Sequence, residues 1–227
     1  MAFRIEKRIG ALLMLTAAAW AQPLTYQVRH KHLHGGAIGT LRVEDDSISF
    51  DEKGKHSRQW KFEDIQQLSL SSAALRILTY EDQKWLLGRD REYVFDRLPG
   101  DLTKQSYALL RSKLGQRFVA GLAETDIAPL WQVGAKLRHG LSGSEGTLTV
   151  GADRIVFETK ASAESRTWLF HDIDNVSTAG PFDLVITTPE RAGRLHSGPT
   201  EFRFQLKGPL SENRYNEIWR GISFMHR

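Results

Sequence analysis

The feature that most constrains this chain is an internal copy. Gly146–Ser177 repeats Gly39–Ser69. Gly146, Thr147, Leu148, Val150, Asp153, Ile155, Phe157 and Lys160 fall on Gly39, Thr40, Leu41, Val43, Asp46, Ile48, Phe50 and Lys53. After one inserted residue, Trp168, Phe170, Asp172, Ile173 and Ser177 match Trp60, Phe62, Asp64, Ile65 and Ser69. The likeness extends upstream, where Pro129–Val133 is similar to Pro23–Val28 and His139-Gly140 matches His34-Gly35. A duplication of about one hundred residues predicts two units, each long enough to close its own core.

Within each unit the pattern is mostly strand. Leu41 and Val43, then Ile48 and Phe50 beyond Asp45-Asp46, alternate with polar residues, as in a hairpin with one buried face. Gln59–Phe62 and Thr167–Phe170 read as a third strand, with Trp60 and Phe62 on one face and Trp168 and Phe170 on its counterpart. These rings could form a stacking platform, but their place in the repeat assigns them to a core. Further strands are predicted at Leu75–Tyr80, Lys84–Leu87, Tyr93–Phe95, Leu184–Thr188 and Glu201–Leu206, with Glu81-Asp82-Gln83 and Pro189–Pro199 as turns. Each unit ends in a helical period. Tyr107, Leu110 and Leu114 follow Asp101 as N-cap and precede Gly115 as stop, and Leu210, Tyr215, Ile218 and Ile222 repeat the arrangement.

The hairpin G-T-L-x-V…I-x-F, the strand W-x-F followed by D-I, and the closing helix together make each unit resemble the pleckstrin-homology-like (PH-like) superfold, with its GRAM and bacterial branches. The resemblance implies a mainly β, α+β fold: two tandem, bent, seven-stranded barrels, each closed by a C-terminal helix. It divides the chain into residues 1–21, a first domain at 22–115, a linker at 116–128 and a second domain at 129–227. The family's phosphoinositide pocket needs basic residues on the first hairpin. Here Arg42 and Lys53 stand among Glu44, Asp45, Asp46, Asp51 and Glu52, which departs from that pattern.

Residues 1–21 read as a secretory signal, with Arg4, Lys7 and Arg8 before the apolar run Ile9–Trp20 and a cleavage site after Ala21. The expected location is periplasmic or secreted, soluble after cleavage, although retention as an N-terminal anchor stays open. Of the net charge of +4, the first 21 residues carry +2. The small remainder argues against nucleic acid as a partner, because phosphate binding needs clustered Lys and Arg. With no cysteine in the chain, disulfides and thiol chemistry are excluded.

Candidate site residues are few. His30, His32 and His34 alternate, so on a strand they share a face and could ligate zinc, copper or nickel; the competing reading is a solvent-facing polar strand edge. Asp64 and Asp172 recur before a core Ile, where a turn or cap role competes with acid–base work. Tyr80–Phe95 carries Lys84, Arg89 and Arg91 around Trp85, a composition suited to a protein contact or an inter-domain seam, or to a hairpin with a charged outer face. No G-x-S-x-G elbow and no G-K-S/T phosphate loop is present. The expectation is a non-enzymatic, exported module without a cofactor that recognises a protein or peptide, the alternatives being a membrane-surface lipid adaptor or a metal-binding protein using the histidine face.

Overall fold

The computed structural model of the chain describes residues 23–32, 35–52, 57–83, 86–140, 142–161, 163–191 and 199–225. The signal segment, His34, Lys84 and Trp85 lie outside the described residues.

Strands and helices follow the alternating and helical periods of the sequence. The first half contains β1 (Leu24–His32), β2 (Gly35–Val43), β3 (Ser47–Asp51), β4 (Ser57–Lys61), β5 (Ile65–Ser71), β6 (Ala74–Gln83) and β7 (Leu86–Asp96), then helix α1 (Gly100–Leu114). A short β8 (Phe118–Gly121) follows. The second half contains β9 (Trp131–His139), β10 (Ser142–Val150), β11 (Arg154–Thr159), β12 (Arg166–Leu169), β13 (Asn175–Ser177), β14 (Asp183–Thr188) and β15 (Thr200–Leu206), then α2 (Glu212–Met225). The protein is mainly β with two helices.

Two separate closed barrels are not what the backbone forms. Hydrogen bonds join the strands into one open ladder, in the order β13-β14-β15-β9-β10-β11-β12-β8-β5-β6-β7-β1-β2-β3-β4. Each half has the same internal order, and β8 joins them. It runs parallel to β5, with Leu68–Ser71 opposite Phe118–Gly121. It meets β12 antiparallel, with Ala120 opposite Thr167. The outer edge of β5 is therefore taken by β8 and cannot close onto β4. The segment read as a linker thus carries a strand, and Phe118, Val119 and Ala120 within it are buried.

The repeated glycines have a steric cause. A Cβ on Gly39 or Gly146 would lie under 3.0 Å from the carbonyl of Asp51 or Glu158 and from the ring of Phe50 or Phe157. Trp60 and Phe62 are buried in one core, Trp168 and Phe170 in the other, as the repeat predicts. Burying such rings contributes roughly 1.5–3 kcal/mol each.

Three local expectations are corrected. Glu81-Asp82-Gln83 is not a turn; β6 runs through Gln83 because pairing with β7 outweighs the weak strand preference of these polar residues. Pro99, not Asp101, is the N-cap of α1, with Asp101 in the first turn, where a carboxylate complements the helix dipole. Gly115 does end the helix, at φ +54°. Finally, β1 pairs with β2 and β9 with β10 in registers that place His139 on His32 and Leu137 on His30, so His139 is not the counterpart of His34.

Candidate functional site

β1 ends at His32, with His30 half-buried and His32 exposed. His30 sits opposite Phe95 in the β1–β7 pairing. Its ring lies 5.0 Å from Phe95, 5.5 Å from Phe50 and 4.3 Å from His32, centroid to centroid. Burial among these rings, with the charges of His32, Arg58 and Arg91 nearby, lowers its pKa to about 4. The imidazole is neutral at neutral pH. His30 and His32 are thus brought together, and His34 lies outside the described residues. Among the described residues no three His, Cys, Asp or Glu side chains form a group that could hold a metal ion.

Of the four side chains in the Tyr80–Phe95 contact cluster, Arg89 and Arg91 are described. Arg89 is exposed on β7. Arg91 lies over the Tyr93 ring at 5.3 Å and places Nη1 3.6 Å from Glu81 Oε2. Arg58, from β4, lies over the same ring at 5.1 Å and donates to the Tyr93 hydroxyl at 2.8 Å. That hydroxyl donates to Glu81 at 2.9 Å. Asp90 pairs with Arg191, whose backbone N–H donates to Gln67, so this stretch also touches the second half.

The ladder registers expose a second copy of this polar arrangement. Arg58 stands opposite Phe50 and Arg166 opposite Phe157. Tyr93 stands opposite Ile77 and Phe202 opposite Ile186. Two and four residues beyond those isoleucines, Thr79 and Glu81 correspond to Thr188 and Glu190. Phe202 has no hydroxyl to interpose, and Arg166 pairs directly with Glu190. Burial raises the Glu190 pKa, opposed by Arg166. The sequence offered a signal in Arg58-Gln59-Trp60 and Arg166-Thr167-Trp168, but the glutamates lie over twenty residues away and only pairing of the strands brings them in.

Other chemistry-bearing side chains also meet among the described residues. Ser144 Oγ donates to Glu164 Oε2, and His139 Nε2 lies 3.1 Å from the same oxygen, so the carboxylate and not the imidazole is the partner of the hydroxyl. Asp64 is exposed. Asp172 accepts from the Leu169 N–H at 3.3 Å and from Arg111 Nη2 at 3.2 Å, a capping role that also ties α1 to the second half. Burial raises its pKa, against the charges of His171 and Arg111.

The duplication also allows the sheet edges to be compared one by one. β5 is covered by β8. β12 is also covered by β8, and Thr167 Oγ1 donates to Leu122 O at 2.8 Å and accepts from Glu124 N–H at 3.0 Å. β13, the counterpart of β5, is capped from α2, where the Tyr215 hydroxyl donates to Val176 O at 3.0 Å. The matching tyrosine of α1, Tyr107, donates instead to Glu124 beside β8. β4, the counterpart of β12, ends the ladder. Among the described residues, no backbone or side-chain group bonds to its outer edge.

No protein-family model matches the chain, and no curated protein matches it. Among solved structures, the chain is similar to the C-terminal domain of an unknown protein from Leishmania infantum, at 11% identity and a TM-score of 0.32, over 40% of this chain and 80% of that one. It is also similar to the Spt16D Pob3N heterodimer structure, at 12% identity and a TM-score of 0.36, over 84% of this chain and 99% of that one. These likenesses are too distant to bear on function.

Proposed function

We propose that this protein is an exported, non-enzymatic pair of PH-like domains that recognises another protein by accepting an extended segment at the β4 edge. The observation that carries the reading is the four-edge comparison: β8 covers β5 and β12, the ladder ends at β13 and β4, and of these two ends β13 has the Tyr215 hydroxyl on its Val176 carbonyl while β4 has no such bond among the described residues. An uncovered strand presents a row of N–H and C=O groups, and adding a strand there is a common mode of peptide recognition. β8 supplies the precedent, since it lies antiparallel on β12, the counterpart of β4. By the same register Gln59 takes the place of Thr167, so the incoming segment pairs antiparallel around Gln59. The repeated order of seven strands and a closing helix supports the PH-like assignment, and the pattern of residues 1–21 supports export.

The test is photo-crosslinking. A benzophenone side chain at Gln59 is exposed to the envelope fraction of the native host, with Glu217 on the exposed face of α2 as control. One abundant protein adduct at position 59, absent at 217, is the expected result. Equal labelling at both positions, or adducts with lipid alone, would sink the reading and return attention to a membrane surface.

A further inference from the structure

Independently of the β4 edge, the junction of the two halves forms a small, partly open pocket of about 20 Å³, lined by Val119 and Ala120 of β8, Trp168 of β12, Asp172, Thr188 and Glu190. Seven buried side-chain atoms among the described residues have no hydrogen-bond partner, and four belong to residues lining this one cavity: Arg166 Nε, Trp168 Nε1, Asp172 Oδ1 and Thr188 Oγ1. Buried polar groups are nearly always satisfied, by protein or by ordered water. Such a concentration at one place points to a ligand.

The donor set says which kind. Arg166 Nε–H and Trp168 Nε1–H can only donate, so the ligand must accept, which excludes a metal cation or an ammonium group. Asp172 Oδ1 can only accept when ionised, and the Glu190 carboxyl stands beside it, so the ligand must also donate, which excludes an anion. His171 Nε2 lies 3.0 Å from Asp172 Oδ1 but outside hydrogen-bonding alignment. The Thr188 hydroxyl lies close enough to Glu190 to favour its ionised form, yet it completes no aligned bond in the chain. Two donors and two acceptors around a space of this size match one molecule that accepts twice and donates twice. A cavity holds a water once it offers about 10–15 Å³ to a water-sized sphere.

We infer that the seam contains a built site for a single water, which joins Arg166 and Trp168 to Asp172 and Thr188 beneath β8. The first half lacks the site for a physical reason. There Thr79 Oγ1 donates to Arg91 O at 3.2 Å, Asp64 is exposed, and among the described residues no strand lies beside β4 as β8 lies beside β12. The water is thus a product of the second half and the connector together.

Two measurements test this. A high-resolution crystal structure of the chain should show one spherical density peak within hydrogen-bond distance of both Arg166 Nε and Trp168 Nε1; a dry cavity or an elongated, multi-atom density would overturn the proposal. Water relaxation dispersion should count one long-lived water fewer in Thr188→Val than in the parent, with the far-ultraviolet circular dichroism unchanged. Trp168 is a core residue, so Thr188→Val is the variant of choice because it keeps the shape of the side chain. An unchanged count in a folded Thr188→Val protein would also overturn the proposal.

Discussion

The buried imidazole of His30 should make folding of this protein sensitive to acid. His30 is neutral in the folded chain because burial among Phe95, Phe50 and Tyr93, with positive neighbours, lowers its pKa to about 4. An unfolded histidine titrates near 6.5. Between those values the unfolded chain binds the proton and the folded chain does not, so stability contributed by this site is present above about pH 6.5 and is lost as pH falls toward 4. Leu137 occupies the matching position in the second half. His30→Leu should therefore melt at a temperature that falls less steeply than the parent's between pH 6.5 and 4. Parallel melting curves would show that His30 is not the titrating group. Tyr93 gives a second residue-scale test. Tyr93→Phe recreates the side chain found at Phe202 and removes the hydroxyl between Arg58 and Glu81. The expected cost is about 1.5–3 kcal/mol, the range for hydrogen bonding to charged groups, read by denaturant unfolding. A loss several times larger would mean that Arg58 and Glu81 cannot close on each other as Arg166 and Glu190 do.

Helix α2 and strand β13 show how an element is finished off. The Tyr215 hydroxyl satisfies a backbone carbonyl at the edge of a three-residue strand. Tyr215→Phe keeps the packing and exposes that carbonyl. Amide exchange of Val176 and Ser177 should accelerate, while that of β9 and β10 stays as in the parent; unchanged protection at β13 would show that the tyrosine does not hold the edge. The hairpins carry a matching test. Gly39→Ala drives a methyl group into the Asp51 carbonyl and the Phe50 ring, and Gly146→Ala does the same at Glu158 and Phe157. Overpacking of this kind costs about 1–3 kcal/mol. Either variant melting at the parent temperature would remove the steric account of the repeat's leading glycine. The elements themselves were legible in the sequence wherever a period ran long enough. The G-T-L-x-V hairpins, the strands that carry Trp60 and Trp168 and both helices follow from alternation or helical spacing, but those two strands stop at Lys61 and Leu169, and Phe62 and Phe170, read as strand, each open a short 3-10 helix. β8 was not legible, because four consecutive buried residues, Phe118 to Gly121, have no alternating face.

At the scale of the molecule the two halves are bound across several kinds of contact. β8 pairs with both. Arg111 reaches Asp172, Arg154 reaches Glu124, and Gln116 donates to His171 O at 2.9 Å. Arg117 Nη1, just before β8, donates to Phe62 O at 2.9 Å and Ile65 O at 2.8 Å, which anchors the connector to the first half. Calorimetry should accordingly give one transition whose van't Hoff and calorimetric enthalpies agree. Two resolved transitions would mean that the seam is too weak to couple two cores.

The sequence by itself determined that the chain is duplicated, that each copy is a run of strands ending in a helix, and which aromatic residues fill each core. These properties depend on near neighbours: side chains two or four positions apart share a face whatever the rest of the chain does. It left open whether the copies would stand apart or share a sheet. Only the tertiary structure decided which edges are covered, because β8 and Tyr215 act on strands tens of residues away, and their effect depends on where they land in space. The same reason hid the duplicated Arg–Glu pairs and the polar cavity at the seam. Arg166 and Glu190 are 24 residues apart, and Asp172 meets Arg111 across 61, with nothing in the local pattern to announce either partner.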